Sequence, residues 1–236
     1  ASVGENSPAD KAGIKAGDII LNFDGKKIDT MRTLPKVVAS TDVGRLVSFS
    51  NGRAKITNFS SATSVTATTQ DDFDNTNAVT AWKLGAFSGT TGHPSCVSFF
   101  EQRLVFAGTI AEPQTLYFSK AGDYENMTTG TNADDAMVYT IASNQVNRIR
   151  YLKSVRTLIV GTTGGEFTVS ADGTDAAITP TNIVIKKQSS YGTANVDAQP
   201  AGSSILFLQK AKRKIRELAY NFDVDGYVAA DLTILN

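Results

Sequence analysis

The side chains that could carry out nucleophilic or acid–base chemistry are few in this sequence. His93 is the single histidine and Cys96 the single cysteine among 236 residues, and Pro94 stands between them. A Ser-His-Asp or Cys-His arrangement would have to use His93, but a three-residue offset across a proline turn is not typical of a catalytic dyad. We therefore predict a loop histidine, a buried small thiol, no catalytic residue, and a protein that is not an enzyme.

The acidic residues give no clear metal site or acid–base pair. Asp71-Asp72 and Asp134-Asp135 are sequence neighbours, and neighbours on a strand point to opposite faces of the sheet. Residues 221–226 imitate the first half of an EF-hand loop, but Leu232 occupies the twelfth position, where a bidentate glutamate is needed. We predict a turn rich in aspartate there, no metal and no cofactor.

A basic run is the strongest candidate for contact with a polyanion. Lys210, Lys212, Arg213 and Lys214 follow one another closely, and Arg216 continues the run. These side chains could contact phosphates if their hairpin lines a DNA passage. The alternative is a solvated hairpin end.

Composition narrows the class of protein. Lys+Arg and Asp+Glu both number 23, so the formal net charge is zero. A neutral chain has no global field that attracts it to nucleic acid or to an acidic membrane, and it has little charge to oppose self-association. No apolar run approaches the ~20 residues of a membrane span, and the first residues do not read as a signal peptide.

The first forty residues predict a small α/β piece. Ser7-Pro8 can begin a short helix, and residues 18–23 form an apolar run that predicts a buried strand. Asp24-Gly25 is typical of a tight hairpin. A second helix is predicted from Met31 to about Ala39, because its apolar positions share one helical face.

This region resembles the PDZ domains of HtrA-type periplasmic serine proteases. The resemblance rests on Asn6-Ser7-Pro8-Ala9, on Ala12 to Ile20, and on Asn22 to Ile28. In that family a peptide C-terminus adds to a strand beside the second helix, which places Leu34 and Val38 in the groove wall. We expect the carboxylate-binding loop and most of the facing strand to be missing. The alternative is that these residues only pack a small subdomain.

The rest of the chain predicts many short strands separated by turns. A weak repeat of roughly 50 residues relates 103–109, 156–162 and 204–208, which suits one four-stranded blade per repeat. The expected fold class is mainly β, a β-propeller-like or multi-sheet segment with a small N-terminal PDZ-like α/β piece. The predicted strands are 46–50, 54–58, 64–69, 96–100, 103–107, 115–119, 138–141, 149–152, 157–160, 166–170, 183–187, 204–208 and 214–220.

Residues from about 42 to 236 resemble the tail-nozzle (tail tubular) proteins of short-tailed phages. The resemblance rests on the residues of 99–109, 113–115, 119–124, 134–136, 141–149, 158–162, 165–167, 179–180, 191–192 and 213–220. It implies a structural protein of the virion that forms a ring on a propeller-like platform. Its partners would be other tail proteins or copies of itself, with DNA passing through.

The two resemblances predict two modules, a partial PDZ-like module at 1–57 and a β-rich nozzle-like segment at 58–236, with a junction near Asp42. Residues 41–47 fit both families, so we interpret the chain as a natural or engineered fusion in which 45–57 supply strands that the PDZ piece lacks. The main functional hypothesis is a non-enzymatic phage-tail protein. The alternative is a periplasmic module that binds peptide C-termini. A third hypothesis, hydrolysis of the cell wall, is supported by no set of candidate catalytic residues in the sequence.

Overall fold

Among the described residues, the regular secondary structure is almost entirely antiparallel β-strand. The computed structural model describes residues 18–19, 38–61, 64–75, 77, 82–89, 91–143, 145–173 and 176–234. The chain divides into two compact units, Ala1–Gly92 and His93–Asn236. The first predicted helix, the predicted Asp24-Gly25 hairpin and residues 31–37 of the second predicted helix lie outside the described residues. Val38 and Ala39, at the predicted end of the second helix, are described and are not helical, and the Ala39 backbone is extended.

The first unit contains one antiparallel sheet of five strands, in the order β1-β4-β3-β2-β5. Alternate residues of β3 and β4 are buried while their neighbours are exposed, which is the pattern of a sheet with one solvated face. The buried side chains include Ala54, Ile56, Val65 and Ala67. The strands are β1 (Asp18–Ile19), β2 (Leu46–Phe49), β3 (Gly52–Ser61), β4 (Ser64–Asp71) and β5 (Lys83–Leu84).

The hairpin between β2 and β3 has a turn of two residues. Its two turn residues are Ser50 and Asn51, which both have positive φ, as a type I′ turn requires. Gly52 is already paired with Phe49 in the ladder. A Cβ on Gly52 would overlap the Phe73 ring, which stacks on Phe49 with ring centroids 4.2 Å apart. The glycine at this position is therefore required by side-chain packing and not by the turn.

The second unit consists of three four-stranded antiparallel meanders that follow one another along the chain. The first meander contains β6 (Cys96–Phe100), β7 (Arg103–Ala107), β8 (Thr115–Phe118) and β9 (Met137–Thr140). The second contains β10 (Ile149–Ser154), β11 (Leu158–Thr162), β12 (Gly165–Ala171) and β13 (Ile183–Ser189). The third contains β14 (Gln199–Ala201), β15 (Ser204–Leu208), β16 (Ile215–Asn221) and β17 (Gly226–Asp231).

The second meander is packed on both faces. Leu158 and Val160 belong to one core with the first meander, which contributes Val105 and Phe118. Ile159 points to the opposite face, because strand residues alternate, and it belongs to a second core. That second core adds Ile205, Phe207, Leu218 and Ala229 of the third meander. The strand β11 is consequently buried along its whole length.

The predicted fold class is confirmed as mainly β and multi-sheet. Each strand predicted from residue 46 onward overlaps an observed one, whereas only residues 18–19 of the predicted strand 18–23 are described. The three segments of the weak repeat are β7, β11 and β15, the second strand of each meander. The repeat therefore reflects a repeated four-stranded unit. Closure of these sheets into a propeller stays a prediction.

The predicted module boundary between residues 57 and 58 falls inside β3. β3 pairs with β4, and β4 also pairs with β1, so residues from both predicted modules share one sheet. Whether the chain joins two inherited modules near Asp42 stays a prediction.

Candidate functional site

The predicted peptide-binding residues are described only in part. Leu34 lies outside the described residues. Val38 is 5% exposed and belongs to the core of the first unit, together with Val47, Ile56 and Val65. Its side chain contributes to packing, and a role for Leu34 and Val38 in binding a peptide stays a prediction.

The segment at the predicted junction is fixed by a buried ion pair. A 3-10 turn at Ser40–Asp42 brings the Asp42 carboxylate within 2.6 Å of Arg45 Nη1 and 2.8 Å of the Ala39 amide nitrogen. The Arg45 Nε also donates to the Gly85 carbonyl at 2.9 Å. Burial acts to raise the pKa of Asp42, but the hydrogen bonds from Ala39 and Arg45 outweigh it and lower that pKa. This segment is thus anchored to a residue 40 positions later.

The predicted basic run forms the turn between β15 and β16. Lys210, Lys212 and Arg213 are exposed, and none of the ion pairs among the described residues involves them. Lys214 differs, because its Nζ lies 2.6 Å from the Asp231 carboxylate. That hydrogen bond, with those from Thr233, lowers the pKa of Asp231 to about 2. The geometry leaves three cations accessible, and their contact with nucleic acid stays a prediction.

His93 and Cys96 occupy different environments. His93 is exposed, whereas Cys96 is 8% exposed within the core of the first meander. The Cys96 Sγ lies 3.9 Å from the Ile149 carbonyl oxygen, and burial raises the pKa of its thiol. A thiol with a raised pKa carries little thiolate at neutral pH and is a poor nucleophile.

Arg103 connects loops of the first meander to the second meander. Its guanidinium is buried and donates to the carbonyls of Ser119 at 2.8 Å and Asp135 at 2.7 Å through Nη1. Its Nη2 donates to Ala133 at 2.6 Å and to Ile178 at 3.5 Å. One planar cation thereby donates to these loop carbonyls, of which those of Ser119 and Ile178 are buried. Arg103 is one of the residues on which the resemblance to nozzle proteins rests. In the structure its hydrogen bonds join loops of the first meander to the second meander.

A second polar cluster lies between the second and third meanders. Glu166, which is fully buried, accepts hydrogen bonds from the Ser189 hydroxyl and the Gly192 amide. Arg216 lies nearby, with its guanidinium carbon 3.4 Å from the Tyr191 ring centroid. Its Nη1 donates to the Ala229 carbonyl at 2.8 Å and its Nε to Gln209 at 2.9 Å. We name these residues the Glu166 cluster: Tyr151, Glu166, Ser189, Tyr191, Gln209 and Arg216.

Two atoms of the Glu166 cluster have no hydrogen-bond partner among the described residues, the Oε1 of Glu166 and the hydroxyl of Tyr151. Burial raises the pKa of Glu166, although hydrogen bonds from Ser189 and Gly192 and the charge of Arg216 act in the opposite direction. Burial also raises the pKa of Tyr151, with a further contribution from the charge of Glu166. Glu166 in this cluster is therefore protonated more readily than a glutamate exposed to water.

A raised pKa at Glu166 predicts a measurable dependence of stability on pH. The folded chain binds more protons than the unfolded chain between pH 4.5, the ordinary value, and the raised value. The free energy of unfolding therefore falls as pH rises through that window. We expect Glu166→Gln to gain stability relative to the parent chain at pH 8 but not at pH 4.5, measured by urea denaturation. The exposed Glu125→Gln is the matched control, and an equal effect of Glu166→Gln at both pH values would contradict the assignment.

An open pocket of about 400 Å³ lies beside the Glu166 cluster. It is bounded by the end of β13 and by β17, and its lining includes Gln188, Tyr191, Tyr227 and Val228. The Gln188 Oε1 accepts from the Tyr227 amide at 2.9 Å, so a side chain already occupies part of the free edge of β17. The pocket combines aromatic and amide groups without a charged group in its lining.

The EF-hand-like residues 221–226 form the turn between β16 and β17. The Asn221 side chain accepts from the Asp223 amide at 2.8 Å, and Asp225 accepts from the Tyr220 hydroxyl at 2.5 Å. The Asn221 side chain and one oxygen of the Asp225 carboxylate thus form hydrogen bonds within the turn. In the part of the chain that the structure describes, no group of three or more His, Cys, Asp or Glu side chains could hold a metal ion.

Residues 1–58 match the family model of the PDZ domain. The N-terminal region is therefore similar to PDZ domains, as the sequence predicted for about residues 1–41, and the match extends through β2 and most of β3. No curated protein matches the chain. No helix in the described residues has the length and hydropathy of a membrane span.

Proposed function

We propose that this chain is a non-enzymatic binding protein whose N-terminal region recognises peptide C-termini. The observation that carries the proposal is the match of residues 1–58 to the PDZ domain, a family that typically binds such ends. Binding of this kind adds an extended peptide to a sheet edge, so it needs no catalytic group. A buried Cys96 with a raised pKa and an exposed His93 support a non-enzymatic chain. The corresponding location would be the periplasm.

Titration with a labelled peptide tests this proposal. A short peptide with an apolar last residue and a free carboxylate should bind saturably to the full chain in fluorescence anisotropy. The sequence predicts that the family's carboxylate-binding loop is missing, so recognition of the free end would have to use other groups of the chain. If it does, the same peptide with an amidated end should bind at least about tenfold more weakly, a loss of about 1.4 kcal/mol. Amidation changes only the ligand, so this comparison does not depend on the folding of a variant.

A variant locates the site on the chain. Leu34→Glu places a charge at the predicted groove wall and should abolish binding, whereas Lys55→Glu, on the exposed face of β3, should not change it. Val38 is unsuitable as a test because its side chain is buried in the core. Absence of saturable binding, or equal binding of the amidated peptide, would refute the proposal.

A second candidate is a structural protein of a phage tail, located in the virion and assembled with other tail proteins or with itself. The observation that favours it is the series of three consecutive four-stranded meanders, in which Arg103 and Glu166 act as architectural residues. DNA contact by the turn at 210–214 would belong to this candidate. Electron microscopy of the purified chain should then show rings of constant size, and their absence would remove it.

A further inference from the structure

The two ends of the second unit can be told apart by topology. In a four-stranded meander the first and third turns lie at one end, and the second turn and the connections to other meanders lie at the opposite end. Contacts between meanders keep like ends together. The Ile178 amide donates to Glu101 at 2.6 Å, which joins a third turn to a first turn. The Lys210 amide donates to the Gly192 carbonyl at 2.9 Å, which joins a second turn to a connection.

The end with the first and third turns is acidic, and we name it the acidic end. Lys120 and Arg156 are its cations among the described turn residues, and Lys120 is already paired with Asp134 at 2.9 Å. The surplus of negative charge is therefore accessible to a partner. The exposed carboxylates of this end include Glu101, Asp123, Glu125, Asp172, Asp223 and Asp225.

The opposite end carries the basic turn, and we name it the basic end. Two of its carboxylates, Asp231 and Asp197, are neutralised at 2.6 Å by Lys214 and Lys153. Glu112 is the remaining exposed carboxylate of its described turns and connections. Lys210, Lys212 and Arg213 thus give this end a positive surplus. Although the whole chain has zero net charge, the exposed negative charges of the second unit lie mainly at one end of its strands and the exposed positive charges at the other.

Each end also exposes large apolar side chains. At the acidic end Phe222 is 86% exposed and Val224 is 63% exposed, both in the turn between β16 and β17. At the basic end Val146 is 75% exposed and Ile110 is 69% exposed. If the two ends of different copies came together, these exposed side chains would provide apolar surface for the contact to bury. Charge and apolar exposure therefore make the two ends complementary to each other.

We propose that the acidic end of one chain docks on the basic end of a second copy. The turn 222–225 would place Phe222 and Val224 against the apolar residues of the basic end, with Asp223 and Asp225 facing Lys210, Lys212 and Arg213. Such a contact uses different surfaces on the two copies, so it can propagate or close into a ring. The proposal is independent of peptide binding by residues 1–58.

Sedimentation velocity of the full chain tests this contact. At about 0.1 M salt the Debye length is about 10 Å, and at about 1 M salt it is about 3 Å, so an electrostatic contact should weaken strongly. We expect self-association at low salt and at least a tenfold weaker association at high salt. Phe222→Ser should weaken association at both salt concentrations, because it removes the apolar part of the contact.

Charge reversal identifies the two surfaces. A basic-end variant (Lys210→Glu, Lys212→Glu, Arg213→Glu) and an acidic-end variant (Asp223→Lys, Asp225→Lys) each bring like charges together, so each should lose at least tenfold in self-association. In a mixture, the reversed acidic end of one variant faces the reversed basic end of the other, so association should be regained. Lys55→Glu is the control for a charge change elsewhere.

The outcomes separate the proposal from its competitors. A monomer at both salt concentrations, association that neither variant changes, or a mixture that does not associate would each overturn it. Binding of a single-stranded oligonucleotide by a monomeric chain, lost in the basic-end variant, would assign that end to nucleic acid instead. Peptide titration of the same variants reports separately on the proposed function, because neither variant alters residues 1–58.

Discussion

Replacing Arg103 with alanine is expected to lower the free energy of unfolding of the His93–Asn236 unit by about 4 kcal/mol. The guanidinium donates to the carbonyls of Ser119, Ala133, Asp135 and Ile178, and the arginine is only 2% exposed. Removing it leaves the buried carbonyls of Ser119 and Ile178 without this donor and also removes the contact with the loop of the second meander that contains Ile178. Urea denaturation followed by far-ultraviolet circular dichroism measures the loss. Arg213→Ala, at an exposed turn position, should stay within about 0.5 kcal/mol of the parent chain.

The variant Arg103→Lys tests whether the positive charge of Arg103 or its hydrogen-bond geometry stabilises the unit. Lysine keeps the positive charge, but its single ammonium cannot reach carbonyls on both sides of a planar fork. We expect this variant to lose most of the stability that Arg103→Ala loses. A lysine variant as stable as the parent would show that a buried cation suffices and that the set of carbonyl contacts contributes little.

The second large effect is expected at Gly161, the last residue but one of β11. A Cβ at this position would overlap the ring of Tyr151, which is 1% exposed and packs near Phe207 with ring centroids 6.4 Å apart. The ring cannot move without disturbing the core between the second and third meanders. We expect Gly161→Ala to destabilise the unit by about 2–3 kcal/mol in the same denaturation measurement.

A double-mutant cycle shows whether the Tyr151 ring is the cause. In a Tyr151→Leu background the obstructing ring is absent, so Gly161→Ala should cost at least about 1 kcal/mol less than in the parent chain. Gly89→Ala, where a Cβ meets nothing within 4 Å, is the control for a general glycine effect. Equal costs in both backgrounds would mean that the ring does not explain the glycine.

The strands could be predicted because the residues that specify each strand are close together in the sequence. Runs such as Arg103–Ala107 and Ser204–Leu208 combine β-prone side chains with flanking turn residues, and their observed bounds match the predicted ones. β14 and β17 were missed for local reasons as well. β14 contains Pro200, which removes a backbone donor, and β17 contains Ala229 and Ala230, which have low strand propensity.

The polar clusters could not be predicted, because their members are distant in sequence. Arg103 meets the Ile178 carbonyl across 75 positions, and Arg216 meets the Tyr191 ring across 25. Only the packing of one meander on the next creates these contacts. A buried Glu166 has the same origin, since nothing near it in the sequence distinguishes it from an exposed glutamate. The exposed turn of Lys210, Lys212 and Arg213, by contrast, follows from local composition.

The position of β4 in the first sheet limits how this chain can be divided. β4 lies between β3 and β1, yet its residues, Ser64–Asp71, follow the end of the region that matches the PDZ domain. A fragment that ends at residue 58 would lose β4, the strand that joins β1 to β3, and would expose the edges of both strands to pairing with other chains. We therefore do not expect residues 1–58 to fold as an independent fragment, because the following segment supplies a strand of their sheet.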